Sequence, residues 1–309
     1  MNKINFKFNK LKYFFVVLTL ILFFPSISAK STEPVEISVG IYVLNLGKFD
    51  VSTGSYTVDF YLDFNCDEPC SPERFEFMNG RATSIDKLID EPKEKFYRIQ
   101  ASLSQNIDLR QYPFDKHSLT IQIEDKEKTI DQLIYKFDEK NSGIDQAVII
   151  VGWQLDGWDS KVKEHHYPNY NETYSNFVFN INISRVVLTS FFKSFLPVFF
   201  MVFVTMLTLV LTADKVTTRL SLNISTLLAS VMFHLNSTSS IPPVGYLTFA
   251  DKFMITTYVI LVTVLFSGIL LMRHTEKKDE AKAYKIYRYS LISIPILTIL
   301  LYTILFLFI

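Results

Sequence analysis

Residues 217–241 read TTRLSLNISTLLASVMFHLNSTSSI, a stretch long enough to cross a bilayer yet rich in hydroxyl and amide groups. An α-helix turns about 100° per residue. Ser221, Ser225, Leu228, Met232, Leu235 and Ser239 therefore fall within roughly 40° of one line, and Thr218 lies about 60° away. Such a face is hydroxylated at both ends and apolar in the middle. Hydroxyl oxygens can take over part of an ion's hydration shell, and a leucine–methionine band gates by losing its water. One helix alone cannot use this face in lipid; several copies around an axis can. The alternative at this point is a helix inside a bundle, with its Ser and Thr bonded to neighbouring helices.

Other reactive side chains are few. His234 lies well off the stripe, so it is expected to face another span of its own subunit and find a hydrogen bond there. His117, His165 and His166 are expected at surface or loop positions. Cys66 and Cys70, in NCDEPCSP, are the only cysteines. In an exported segment they are candidates for a small disulfide-closed loop. The chain has no Gly-rich phosphate loop, no metal-ligand cluster and no nucleophile–His–acid order, so enzyme, cofactor, metal and nucleic-acid readings are set aside.

The elements that must position these residues divide the chain. Residues 1–29 have the form of a signal peptide: Lys3, Lys7, Lys10 and Lys12, then YFFVVLTLILFF, Pro25 and small residues to Ala29. The alternative is an additional uncleaved span. In residues 30–185, seven stretches carry partial period-two patterning: ISVGIYVLNL, SYTVDFYLDF, FYRIQASL, HSLTIQIED, QLIYKF, AVIIVGWQL and NFVFNINIS. This predicts an all-β, immunoglobulin-like sandwich, with at most a brief helix near 84–91. Residues 186–309 predict an all-α bundle of four transmembrane helices, at about 190–212, 219–241, 250–272 and 287–309. The zero net charge hides a partition. Residues 30–185 hold 17 basic and 26 acidic residues, a net −9, while the rest is +9. The 273–288 linker has six basic and three acidic residues. With the signal, this places the sandwich outside a plasma (bacterial inner) membrane and that linker in the cytoplasm.

In this order, several motifs resemble the pentameric ligand-gated ion channels. The second span is similar to their pore-lining helix, with Arg219 at its mouth and Leu228 at the gate. SIPPVGYLTFADKFM (240–254) resembles their linker into the third span. LRQYPFDKHSLTIQIE (109–124) carries the YPFD motif of the loop that sits on the membrane domain. Arg185 precedes the first span, and Pro197 lies inside it. The likeness covers nearly the whole chain after residue 29. Gln105 and Leu119 stand near the places where eukaryotic members have a disulfide, and the linker before the fourth span is very short. Both features are similar to prokaryotic members. The extracellular domain is shortened and lacks the family's Trp-x-Pro stretch.

The resemblance implies a homopentamer in a lipid bilayer that passes small ions on binding a small agonist or proton. It implies coupling through Asp115 and Arg185 as an ion pair, with Phe114, Asp50 in the FDVSTGS turn, Pro242 and Tyr246. It places a capping loop at 167–176, where Tyr167, Tyr170 and Tyr174 are ligand-binding candidates, with Tyr135 and Phe137 on an adjacent strand. Thr217 and Thr218 match neither the Glu of family cation channels nor the Pro-Ala pair of anion channels. The acidic sandwich favours cations. The rival reading is a membrane sensor or scaffold of the same architecture that does not conduct.

Overall fold

The computed structural model describes residues 33–239 and 241–307. The signal-peptide expectation lies outside them. Ten strands build a sandwich: β1 (Val35–Leu46), β2 (Ser55–Cys66), β3 (Phe75–Phe77), β4 (Gly80–Asp90), β5 (Glu94–Ser104), β6 (Lys116–Asp125), β7 (Leu133–Phe137), β8 (Gly143–Ile144), β9 (Trp153–Tyr167) and β10 (Glu172–Arg185). One sheet runs β4-β5-β2-β1-β7, with β8 also on β1; the other runs β3-β6-β10-β9. Period-two alternation selects the core. Ile37, Val39, Ile41 and Val43 face inward from β1, Phe60, Leu62 and Phe64 from β2, Leu119, Ile121 and Ile123 from β6, and Phe177, Phe179, Ile181 and Ile183 from β10. Each such buried side chain contributes about 1.5–3 kcal/mol relative to exposure.

Two local expectations fail. Residues 84–91 are strand, not helix: β4 pairs with β5 from Gly80–Leu103 to Asp90–Lys95. Ladder pairing overrides a local pattern whose Ile85 and Leu88 stay exposed. Residues 147–152 alternate like a strand but form none; the strand begins at Trp153. Val148 and Ile150 turn into the core while Ile149 and Val151 point out, so burial alone accounts for the alternation.

Five helices follow: α1 (Val187–Ser194), α2 (Leu196–Thr208), α3 (Val216–Thr238), α4 (Phe249–Glu276) and α5 (Glu280–Leu307). The last three are each long and apolar enough to cross a membrane, and α1 with α2 adds a fourth span bent by 40°. Pro197 sits in the first turn of α2, where its missing N–H leaves no intrahelical bond unmade. Phe195, Phe249, Phe253 and Tyr302 pack where α2, α4 and α5 meet. The chain is thus a β-sandwich followed by a helical membrane domain.

Candidate functional site: one exposed helix face, a coupling joint and an acidic pocket

Thr218, Ser221, Ser225, Leu228, Met232, Leu235 and Ser239 are all exposed on α3. In the band between the hydroxyls, Leu228 is 63% exposed, Met232 60% and Leu235 62%. The stripe is therefore not packed inside its own protomer. The Ser225 hydroxyl donates to the Ser221 carbonyl at 2.9 Å, and that of Ser239 to Asn236 at 2.7 Å. Their hydrogens are spent on the helix, so the oxygens offer lone pairs outward.

The polarity of this span has a second source that the sequence reading missed. Arg219, Asn223, Thr226 and Ser230 form another stripe, buried within the protomer. Arg219, expected at the mouth of the helix bundle, is instead 0% exposed and donates to Ser267 of α4 at 2.8 Å. His234 also faces α4, with its ring nitrogens 3.0 Å from the Tyr258 hydroxyl and 3.1 Å from Asp251.

The joint between sandwich and helices is built on the loop that carries Tyr112–Pro113–Phe114–Asp115. The backbone carbonyls of Arg110 and Tyr112 accept from the N–H groups of Phe249 and Ala250 at 2.9 and 3.0 Å. These are first-turn amides of α4, which have no partner inside the helix. Thr248 completes the cap: its hydroxyl accepts from Asp251 N at 3.1 Å, and the Asp251 carboxylate accepts from Thr248 N at 2.8 Å. Phe114 stacks on Phe195 at 5.6 Å and meets Phe249 at 5.9 Å. The Tyr246 hydroxyl accepts from Leu109 N at 2.8 Å, and the Arg110 guanidinium lies 4.8 Å from the Tyr246 ring.

Asp115 is 1% exposed. It accepts from Arg185 Nε at 2.6 Å and bonds His117 Nε2 at 2.7 Å. Burial alone would raise its carboxyl, but the bonds from His117 and Arg185 outweigh that and hold it below the ordinary carboxylate value. The Arg185 guanidinium lies over Trp153 at 4.5 Å and Tyr112 at 5.0 Å. His117 is thus a buried partner, not a surface residue. Its phase along β6 was the available signal: it alternates with Leu119, Ile121 and Ile123. Asp50 bonds Ser52 within its own turn, and among the described residues no bond joins it to Pro242 or Tyr246.

A third feature lies where β3, the end of β6 and the β9–β10 turn meet. A pocket of about 310 Å³ is lined by Glu76, Glu124, Asp125, Lys126, Tyr167, Tyr170, Glu172 and Tyr174. All three capping-loop tyrosines line it. Tyr135 and Phe137 do not: Tyr135 is in the sandwich core, and Phe137 packs against Trp158 at 6.1 Å. The carboxylates were missed. Glu124 is nearly buried, accepting from Tyr167 at 3.0 Å and from Asn176 at 2.5 Å, with His165 Nδ1 at 2.5 Å. Burial, and then the bond to Glu124 and its charge, push the Tyr167 hydroxyl up to about 12. Asp125 continues the inward phase of β6, and its Oδ2 has no partner among the described residues. His166, beyond the pocket wall, bonds Thr173 at 3.0 Å. Cys66 and Cys70 are joined by a disulfide, Cα–Cα 6.2 Å, at the end of β2. No group of three or more potential metal ligands occurs among the described residues.

No protein-family model matches the chain. Over 294 residues it is 21% identical to a protein described as a proton-gated ion channel from Gloeobacter violaceus, a match that covers 87% of this chain and 81% of that one.

Proposed function

We propose that the chain is one subunit of a homopentameric ligand-gated ion channel of the prokaryotic type, in a plasma membrane with the sandwich outside. The observation that carries this reading is the exposed face of α3. Its other face is packed inside the protomer, so the Leu228–Met232–Leu235 band is left for a shared axis. The similarity to a proton-gated channel supports the same reading. The conducted ions are small cations. Outward-facing hydroxyl oxygens suit them, and the acidic sandwich gathers them at the entrance. Asp115, Arg185 and Phe114 transmit movement of the sandwich to α4. The pocket under Tyr167, Tyr170 and Tyr174 takes a small organic cation: four carboxylates surround it against one lysine, and tyrosine faces attract cations.

Flux through purified protein in liposomes, recorded across pH, candidate amines and ion substitutions, tests this. Wild type is expected to pass sodium or potassium with a reversal potential that ignores chloride. Leu228→Ser wets the band and is expected to open at lower stimulus or to leak at rest. Absence of flux from both proteins would favour the non-conducting sensor.

A further inference from the structure

The buried stripe of α3 ends in an unpaired charge. Arg219 is wholly enclosed, and among the described residues no carboxylate pairs with it. Nη2 is bonded to Ser267, while Nε and Nη1 have no partner. One turn further along the same face, the Asn223 side-chain oxygen accepts from Thr208 at 2.9 Å, which fixes the amide orientation. Its Nδ2 is likewise left without a partner, as is the Thr205 hydroxyl on α2. The unsatisfied groups are three nitrogen donors and one hydroxyl, so what is missing is an acceptor. A guanidinium cannot shed its proton to escape the problem. An isolated charge inside an apolar bundle is expensive, and a buried polar group without a partner calls for a water or an ion.

We propose that Arg219, Asn223 and Thr205 enclose a small monovalent anion of halide size within each protomer. Enclosure excludes the other sources of negative charge. These atoms are shut off inside one protomer, so neither a carboxylate of a neighbouring copy nor a lipid phosphate reaches them. Water supplies lone pairs but leaves the charge standing; a halide supplies both. Gly268 keeps α4 close: a Cβ there would come within 2.8 Å of Leu220 and 3.8 Å of Arg219 Nε. The site also bears on conduction. Arg219 follows Thr218 of the exposed stripe directly in sequence, and a captive anion cancels a positive charge that would otherwise oppose cations at that end of the helix.

Bromide tests the site whether or not the protein conducts. Crystals of the full chain grown in bromide are expected to show an anomalous peak within hydrogen-bond distance of Arg219 Nε or Nη1 and Asn223 Nδ2. The melting temperature of wild type is expected to rise with bromide or chloride over gluconate at constant ionic strength. Asn223→Leu, which keeps the arginine, is expected to lose both signals while still folding; Arg219→Gln is the harsher variant. A site without an anomalous peak, holding water alone, overturns the proposal, as does a halide-dependent melting temperature that persists in Asn223→Leu.

Discussion

Asp115 shows how one side chain ties a strand, a loop and a span together. Its two oxygens are divided between Arg185 and His117. Its carboxyl titrates lower when folded, so its contribution is complete above the unfolded value near 3.9 and is lost as pH falls through the folded one. Asp115→Asn is expected to cost about 1.5–3 kcal/mol at neutral pH, to flatten the acid limb of the melting curve below about pH 4, and to weaken opening. Melting temperatures from pH 3 to 7 check the first two. Exchanging Asp115 and Arg185 is expected to restore only part of what each single charge loss removes. His117 would then face a guanidinium, and a double-mutant cycle read by ion flux measures the shortfall.

At the scale of elements, α3 carries two polar stripes with different destinations. The helical period exposed Thr218 to Ser239 as one face from sequence alone, because their angular positions do not depend on tertiary contacts. It could not say that Arg219, Asn223, Thr226 and Ser230 bond within the protomer, since that depends on which helices lie alongside. The strands were legible wherever alternation and pairing agreed, and failed at 84–91 and 147–152, where only one of the two held. The tyrosines of the capping loop reached the pocket, but its carboxylates came from β3 and β6, elements distant in sequence. The Thr248 cap belongs to this scale as well. Thr248→Ala is expected to destabilise α4 by about 0.5–2 kcal/mol, because it leaves Asp251 N bare and loosens the carboxylate that also holds His234. Thermal unfolding in detergent measures it, with Thr248→Ser retaining most of the stability.

For the whole molecule, the exposed leucine band makes a lone protomer implausible in lipid or water. Brief glutaraldehyde treatment of the detergent-solubilised protein is expected to give a ladder that ends at five subunits. Cys66 and Cys70 are bonded to each other, so a cysteine introduced by Leu235→Cys would be the sole free thiol among the described residues. Oxidation of an odd ring pairs thiols two by two and strands one, so about one fifth of the chains are expected to stay monomeric on a non-reducing gel. An even ring leaves none. The hydrogen bonds from the α4 amides to the Arg110 and Tyr112 carbonyls carry one more consequence. The sandwich cannot lift away without handing two protons to solvent, so deuterium uptake at Phe249 and Ala250 becomes a clock for undocking, readable by mass spectrometry even where no current flows.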